Sequence, residues 1–112
     1  MKDWSAVHID KPPSVELIDW SVYEVQLGSR DAPTRHLVGS RRQNPLGKVS
    51  SAIIAIDPLQ RRVLTETGQV YELQGDTGYS SGGTTVWTRW MSMYGLSVYA
   101  DITEEFAMFL SV

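Results

Sequence analysis

The fold class is decided by residues 61–90, RRVLTETGQVYELQGDTGYSSGGTTVWTRW, because the hydrophobic period changes within this stretch. Its first half alternates apolar and polar residues around Thr67-Gly68, which is typical of two strands joined by a tight turn with glycine at a positive φ. Its second half and the residues just beyond it show the helical spacing i, i+3, i+4, i+7 at Trp87, Trp90, Met91 and Tyr94. Strands followed by a helix predict an α+β protein.

The helix after the hairpin has clear end signals. Thr84 or Thr85 can cap its start through the hydroxyl, and Gly95 predicts its end in a left-handed conformation. A second, short helix is predicted further on, where Asp101 with Glu104 resembles a capping box. The apolar residues that share one face of this helix are Ile102, Phe106, Phe109 and Leu110.

The residues before the hairpin predict more strands. VELIDWSVYEVQL (15–27) alternates, but its phase slips at Val22–Tyr23, which indicates a bulge or a strong bend. RHLVGSRR (35–42) predicts a short strand, and the nearly continuous apolar run KVSSAIIAID (48–57) predicts one at the sheet centre. We therefore expect a small, bent antiparallel sheet of about five strands with one or two helices packed on it. Such a sheet can close into an SH3-like or OB-like half-barrel.

The 112 residues fit one domain. Residues 1–14 are predicted to form an N-terminal arm, since Pro12 and Pro13 force an extended stretch, and residues 15–112 are predicted to form a single α+β domain. Trp4 and Ile9 either dock this arm onto the domain or leave it loose.

The composition excludes several classes of protein. Without cysteine there are no disulfides, thiolate nucleophiles or cysteine-ligated metal sites. Residues 1–14 lack the apolar run of a signal peptide, and the longest apolar run, 52–56, is too short to span a bilayer. We therefore expect a cytoplasmic protein with no membrane contact.

The run GYSSGGTT, residues 78–85, differs by one residue from a phosphate-binding loop. Thr84 stands where that loop needs its lysine, and no lysine follows Lys48. The run also follows a hairpin, whereas a phosphate-binding loop follows a parallel strand. We interpret it as a flexible glycine-serine connection into the helix, with a weak anion site at the helix start as the open alternative.

No catalytic or metal-binding constellation is recognisable. His8 and His36 are far apart and lack paired ligand spacing, so His36 is interpreted as a surface or edge residue. No G-x-S-x-G nucleophile elbow is present. The adjacent Glu104 and Glu105 point in different directions from a helix. The sequence therefore predicts a protein that is not an enzyme and that has no metal and no cofactor.

Charge is distributed unevenly along the chain. Residues 30–62 contain seven basic and two acidic residues, although the whole chain has a net charge of −3. These basic residues either alternate on the solvent faces of strands or form a patch for an anionic partner such as nucleic acid. The basic strip proposed for the second case consists of Arg35, Arg41, Arg42, Lys48, Arg61 and Arg62. Aromatic residues for stacking bases are not interleaved with it.

A second set of candidate binding residues is apolar. Met93 falls off the helical stripe, and together with Trp4 and Tyr79 it is predicted to form a contact patch for a protein partner. The edge strand 35–42 could alternatively pair with a second copy of the chain.

Residues 49–90 resemble a group of small bacterial proteins encoded on phages, plasmids and genomic islands. The shared features are a short apolar strand, an arginine-rich turn, the hairpin T-x-T-G-x-V-Y-x-L-x-G and a helix with V-W-x-x-W. The resemblance implies an accessory protein of a mobile element. In that setting, small single domains bind and block a host protein, including CRISPR effectors. We therefore expect a non-enzymatic inhibitor of a bacterial protein, with nucleic-acid binding as the alternative.

Overall fold

A computed structural model describes residues 4–111 of the chain. In chain order, its elements are β1 (Val15–Val25), β2 (Thr34–Arg41), β3 (Gly47–Val49), β4 (Ile53–Asp57), β5 (Arg62–Thr65), β6 (Val70–Leu73), α1 (Ser81–Met93), β7 (Ala100–Asp101) and α2 (Thr103–Leu110). The predicted α+β class is confirmed, and both expected helices are present.

The sheet is mixed and has seven strands, so the prediction of about five antiparallel strands is wrong in two respects. Its order is β3-β2-β1-β6-β5-β4, and β7 pairs with the far end of β1. The β4-β5-β6 meander is antiparallel as expected, but β1 pairs with β6 in parallel through Val15–Leu17. Strand β1 is long enough to pair with three strands, β2, β6 and β7. Pairing only strands that are neighbours in the sequence cannot predict this arrangement.

The run KVSSAIIAID does not form a central strand. It divides into β3 and β4, which lie at opposite ends of the sheet order. The chain turns between them at Ser50, whose hydroxyl accepts a hydrogen bond from the Leu37 amide at 2.8 Å. The exposure of Ile54 agrees with a position in an end strand. The apolar run therefore belongs to two strands at opposite ends of the strand order, joined by a turn.

The predicted irregularity in β1 is present but lies earlier in the strand. The register of β1 against β2 shifts between Ile18 and Ser21, and Asp19 adopts φ 49°. The bulge brings Trp20, Ser21, Val22 and Tyr23 all into buried positions. Strand β1 can therefore contribute side chains to both faces of the sheet over this stretch.

The two helices cover different faces of the sheet. Leu37 and Val38, which are successive residues of β2, belong to two separate apolar cores, as alternation along a strand requires. The Val38 core lies under α1 and contains Tyr23, Trp87 and Met91. The Leu37 core lies under α2, which contributes Phe106 and Leu110.

Close packing of glycines fixes the start of α1. A Cβ atom built on Gly47 would lie 2.0 Å from the Gly82 carbonyl oxygen, so no side chain fits between β3 and the helix. The residue that caps α1 is Ser80, whose Oγ accepts the Gly83 amide at 2.8 Å, and not Thr84 or Thr85. The predicted flexible connection is therefore partly the first turn of a tightly packed helix.

The end of α1 follows its sequence signal, whereas the start of α2 does not. Gly95 has φ 66° after the C-cap Tyr94, as expected. The Leu96 amide donates to the Met91 carbonyl, which completes a Schellman motif. At α2 the predicted capping box of Asp101 and Glu104 is absent, because the N-cap is Ile102, which makes no side-chain capping hydrogen bond, and the Asp101 carboxylate instead accepts the Thr103 amide at 3.0 Å.

The N-terminal arm, as far as the structure describes it, is docked. Its backbone pairs with β4, since the Ile56 amide donates to the Ser5 carbonyl and the Val7 amide donates to the Ile56 carbonyl. The Ile9 amide donates to the buried carboxylate of Asp57 at 2.9 Å. The arm therefore extends the sheet beyond β4.

Candidate functional site

An apolar surface is exposed between α1 and β7. Ten large hydrophobic residues are exposed in the described part of the chain, and four of them fall between positions 93 and 99. Together with Tyr79 they form what we call the aromatic surface: Tyr79, Met93, Tyr94, Val98 and Tyr99, each between 46% and 79% exposed. Such a concentration in one short segment is unusual for a free surface and is typical of contact sites.

The aromatic surface rests on a pair of tryptophans, of which Trp87 is buried and Trp90 is partly buried. The rings of Trp87 and Trp90 are stacked 5.0 Å apart. Tyr94 lies 4.8 Å from Trp90, and Tyr99 lies 5.5 Å from Trp87 and 4.8 Å from Tyr23. The exposed tyrosines therefore stand on a rigid aromatic base, which limits the conformational entropy that they lose on binding.

The buried Tyr23 lies next to Tyr99 of the aromatic surface. Burial raises the pKa of Tyr23, and the nearby groups Tyr99, Asp101 and Tyr79 add to the increase against the opposing hydrogen bond to Ser21. The Tyr79 side chain therefore lies within range of a charge–charge interaction with Tyr23. Beside Val98 and Tyr99 runs an open groove of about 480 Å³, formed by Glu24–Gln26, Pro33 and residues 95–100.

His36 is the polar group beneath this base. Its ring lies 4.7 Å from Trp90 and 6.0 Å from Trp87. Nδ1 donates to the Ser50 carbonyl at 2.9 Å, so in the neutral ring Nε2 accepts from the Thr34 hydroxyl at 2.8 Å. Burial lowers the pKa of His36 despite the opposing hydrogen bond to Ser50. The sequence interpretation of His36 as a surface or edge residue was wrong, since the ring is buried.

Two of the three predicted contact residues, Tyr79 and Met93, are exposed. Tyr79 and Met93 both belong to the aromatic surface. Trp4 does not, because it packs edge-on against Phe106 of α2 with ring centres 5.1 Å apart. The Arg35 guanidinium covers the other side of Trp4 at 4.4 Å from the ring centre. Trp4 therefore anchors the arm in the layer under α2.

Two arginines of the basic strip are engaged by backbone carbonyls. Arg62 Nη1 donates to the Ile9 carbonyl at 3.0 Å. Arg61, which adopts φ 57°, donates from Nε to the Leu73 carbonyl at 3.2 Å and from Nη2 to the Gly75 carbonyl at 2.6 Å. These guanidinium groups connect the β4–β5 turn to the arm and to the end of β6.

Two further arginines are paired with acidic side chains. Arg35 Nε lies 3.3 Å from Glu24 Oε2 across the β1–β2 ladder. Arg42 Nη1 lies 3.5 Å from Glu16 Oε2 and 3.2 Å from Gln74 Oε1. Within residues 4–111, Arg41 and Lys48 are the members of the strip for which we find no hydrogen bond or ion pair from the side chain. The strip is therefore not one continuous cationic surface.

The phosphate-loop-like run is engaged internally. The amides of Gly83 and Thr84 donate to Ser80, and the Gly78 amide donates to the Trp20 carbonyl. The Gly78 carbonyl accepts the Ser21 hydroxyl at 2.8 Å. Gly82 packs against Gly47 of β3 and Gly83 packs against Gly39 of β2, so the run is a structural element of the α1 start.

Within residues 4–111, no group of three or more histidine, cysteine or acidic side chains could hold a metal ion. No described helix is long and apolar enough to cross a membrane. From the sequence, Tyr94, Val98 and Tyr99 were not predicted as contact residues. Tyr94 was instead assigned to the apolar face of the helix that packs on the sheet. The unusual density of aromatic residues in 87–99 was the signal that could have identified them.

A comparison of the chain with family models, with curated proteins and with solved structures finds no match.

Proposed function

We propose that this chain is a non-enzymatic protein-binding module and that the aromatic surface is its partner site. The observation that carries the proposal is the presence of Met93, Tyr94, Val98 and Tyr99, all exposed, within seven residues. Tyrosine and methionine are enriched at the energetically dominant positions of protein interfaces. The stacked tryptophans below hold the surface in place before any partner arrives.

The setting that fits this proposal comes from the resemblance of residues 49–90 to small proteins of phages and other mobile elements. An accessory protein of this kind acts in the bacterial cytoplasm by occupying a surface of a host or defence protein, for example a CRISPR effector. A preformed surface without cofactor chemistry suits such an inhibitor, since blocking a partner requires only tight binding.

The structure weakens the support for nucleic-acid binding through the basic strip. Arg35, Arg42, Arg61 and Arg62 already donate to or pair with groups of the chain itself. A nucleic-acid interface gains affinity from many cations that are available to neutralise phosphates. This alternative predicts an affinity that falls steeply with salt and that is lost when Arg41 and Arg61 are both changed to Glu.

Affinity capture from a nuclease-treated bacterial lysate tests the protein-binding function. The bait is the wild-type chain, the double variant Met93→Asp/Tyr99→Asp, or the control Met108→Asp, which changes an exposed methionine on α2. We expect one stoichiometric protein with the wild type and the control, and its loss with the double variant. Equal capture by all three baits would exclude the aromatic surface as the partner site.

We also propose that the curled sheet approaches an SH3-like or OB-like half-barrel. The segment between β3 and β4 supports this, because it hydrogen-bonds to β2 near one end of the sheet order and beside β5 near the other. The Ser50 amide donates to the Leu37 carbonyl of β2, and the Ala52 carbonyl accepts the Glu66 amide beside β5. An experimental structure checks the proposal through the angle between β2 and β4.

A further inference from the structure

A groove of about 360 Å³ lies between the start of β1 and the end of β2, apart from the aromatic surface. Its polar lining consists of Ser14, Glu16, Arg41, Arg42, Gln43 and Asn44. The Gln43 and Asn44 side-chain amides and the two guanidinium groups are all hydrogen-bond donors. The chemistry of the lining is therefore that of a site for an anion.

Arg41 and Lys48 are two neighbouring cations beside this groove. Lys48 pairs with Gly39 in the β2–β3 ladder, so Lys48 and Arg41 lie diagonally on the same face of the sheet. Lys48 is partly buried, and its pKa is lowered first by burial and then by the charge of Arg41. Within the described residues neither side chain has an ion-pair partner. Two adjacent like charges without a counter-charge destabilise the free protein and favour a bound anion.

The one carboxylate in the groove lining is already engaged. Glu16 Oε2 lies 3.5 Å from Arg42 Nη1, and the Arg42 amide donates to the Glu16 carbonyl at 2.9 Å. Arg42 therefore offsets the repulsion that Glu16 exerts on an incoming anion and also fixes the wall of the groove. This leaves Arg41 and the two amides of the lining to contact a ligand, while Lys48 adds a second positive charge next to Arg41.

We propose that the groove beside Arg41 and Lys48 binds a small molecule through a phosphoryl group. A phosphate carries three acceptor oxygens and a charge of about −1.5 to −2, which matches two cations and two amides better than a single carboxylate does. The volume suits a compact ligand. A nucleic acid requires a row of free cations, whereas the neighbouring Arg61 and Arg62 are engaged by backbone carbonyls.

The test is an amide chemical-shift titration of the ¹⁵N-labelled chain with inorganic phosphate and with phenyl phosphate, at ionic strength held constant with chloride. We expect saturable shifts confined to the amides of residues 14–16 and 41–48, with a Kd of about 1 mM or below. Arg41→Gln and Lys48→Gln should each weaken binding roughly tenfold or more, since each removes a charge-assisted hydrogen bond. The control Arg89→Gln, at an exposed position on α1, should leave it unchanged.

Three results would overturn the proposal: shifts that grow linearly without saturation, shifts spread over the whole surface, or an equal loss in Arg89→Gln. A third ligand, a 12-base-pair DNA duplex, separates the sources of phosphate. Tighter binding of the duplex than of phenyl phosphate, with a steep salt dependence, would assign the groove to nucleic acid and also overturn the small-molecule proposal. Because the groove and the aromatic surface share no residue, the capture experiment with Met93→Asp/Tyr99→Asp fails or succeeds independently of this result.

Discussion

The carboxylate of Asp57 accepts the backbone amide of Ile9 at 2.9 Å, so a buried acid at the end of β4 holds the N-terminal arm. Burial alone would raise the pKa of Asp57, but hydrogen bonds from the Ile9 amide and from the Gln60 side chain and backbone outweigh it and lower the pKa to about 2. One carboxylate thereby joins the arm and the β4–β5 turn.

Asp57→Asn should lower the free energy of unfolding at pH 7 by about 1–3 kcal/mol, because charge-assisted hydrogen bonds to Ile9 and Gln60 are lost. In the wild type, the folded pKa lies below the unfolded value of 3.8. The stability that Asp57 contributes is therefore present above pH 4 and is lost as the pH falls toward 2. Urea unfolding at pH 7 and pH 2 measures both effects. Asp31→Asn, at an exposed acid, is the matched control.

Gly47→Ala should be among the most damaging single-methyl changes in the chain. The new Cβ atom would overlap the Gly82 carbonyl at 2.0 Å, so α1 would have to move away from β3. We expect a loss of about 3 kcal/mol or more. Gly28→Ala, which has φ 50° and open space around its Cβ, should cost only about 1–2 kcal/mol. Denaturant unfolding compares the two, and equal losses would contradict the close packing.

Ser80→Ala should cost about 1 kcal/mol, because it leaves the Gly83 amide at the start of α1 without its acceptor. Thr85→Ala is the discriminating comparison, since the Thr85 hydroxyl donates to the Ser81 carbonyl within the helix and caps nothing. A larger loss in Thr85→Ala than in Ser80→Ala, measured by thermal unfolding, would be inconsistent with Ser80 as the cap.

His36 should make the fold sensitive to mild acid. Its folded pKa is lowered below the unfolded value of 6.5 by burial, so the unfolded chain binds the proton more readily. The free energy of unfolding should therefore decline as the pH falls from 6.5 to the lowered pKa, and it should be level above 7. Tryptophan fluorescence of Trp87 and Trp90 follows this change. His8→Gln removes the other histidine, and the decline should persist in that variant.

Arg62→Gln should lower stability by about 1 kcal/mol, because the guanidinium donates to the Ile9 carbonyl. Arg41→Gln should leave stability unchanged or raise it slightly, since it removes a repulsion from Lys48. Chemical unfolding of the two variants at low salt distinguishes an arginine that stabilises the fold from one whose side chain is available to bind a ligand. Equal effects would mean that the basic strip is uniform.

The predictions that succeeded rest on local chemistry. The Thr65–Gln69 hairpin with Gly68 at φ 86° and the end of α1 at Gly95 follow from glycine in the left-handed region. The helical stripe of Trp87 and Met91 is buried as the spacing indicates. The bulge in β1 was predicted as a feature, but its position was not, because both phases of the strand end up buried.

Several of the predictions that failed concern pairs of residues far apart in the chain. Nothing in the local pattern shows that Val15–Leu17 pairs in parallel with 71–73, or that Gly47 meets Gly82. For the site, the sequence correctly predicted that Tyr79 and Met93 are exposed. It could not predict that the guanidinium groups of Arg61 and Arg62 donate to backbone carbonyls of the chain itself. Which arginine has a partner depends on where turns bring the backbone, and that is a tertiary property.

The three-partner strand β1 also has a kinetic consequence. Its hydrogen-bonding partners are all in place only when β2, β6 and β7 have joined it. The Val22 amide donates to the Thr103 hydroxyl, which lies 81 positions further along the chain. Closing such long loops costs conformational entropy before any contact compensates for it. Folding should therefore take milliseconds to seconds and not microseconds. During synthesis, the edge of β1 stays open until α2 has emerged, which leaves the growing chain dependent on protection from aggregation at that edge.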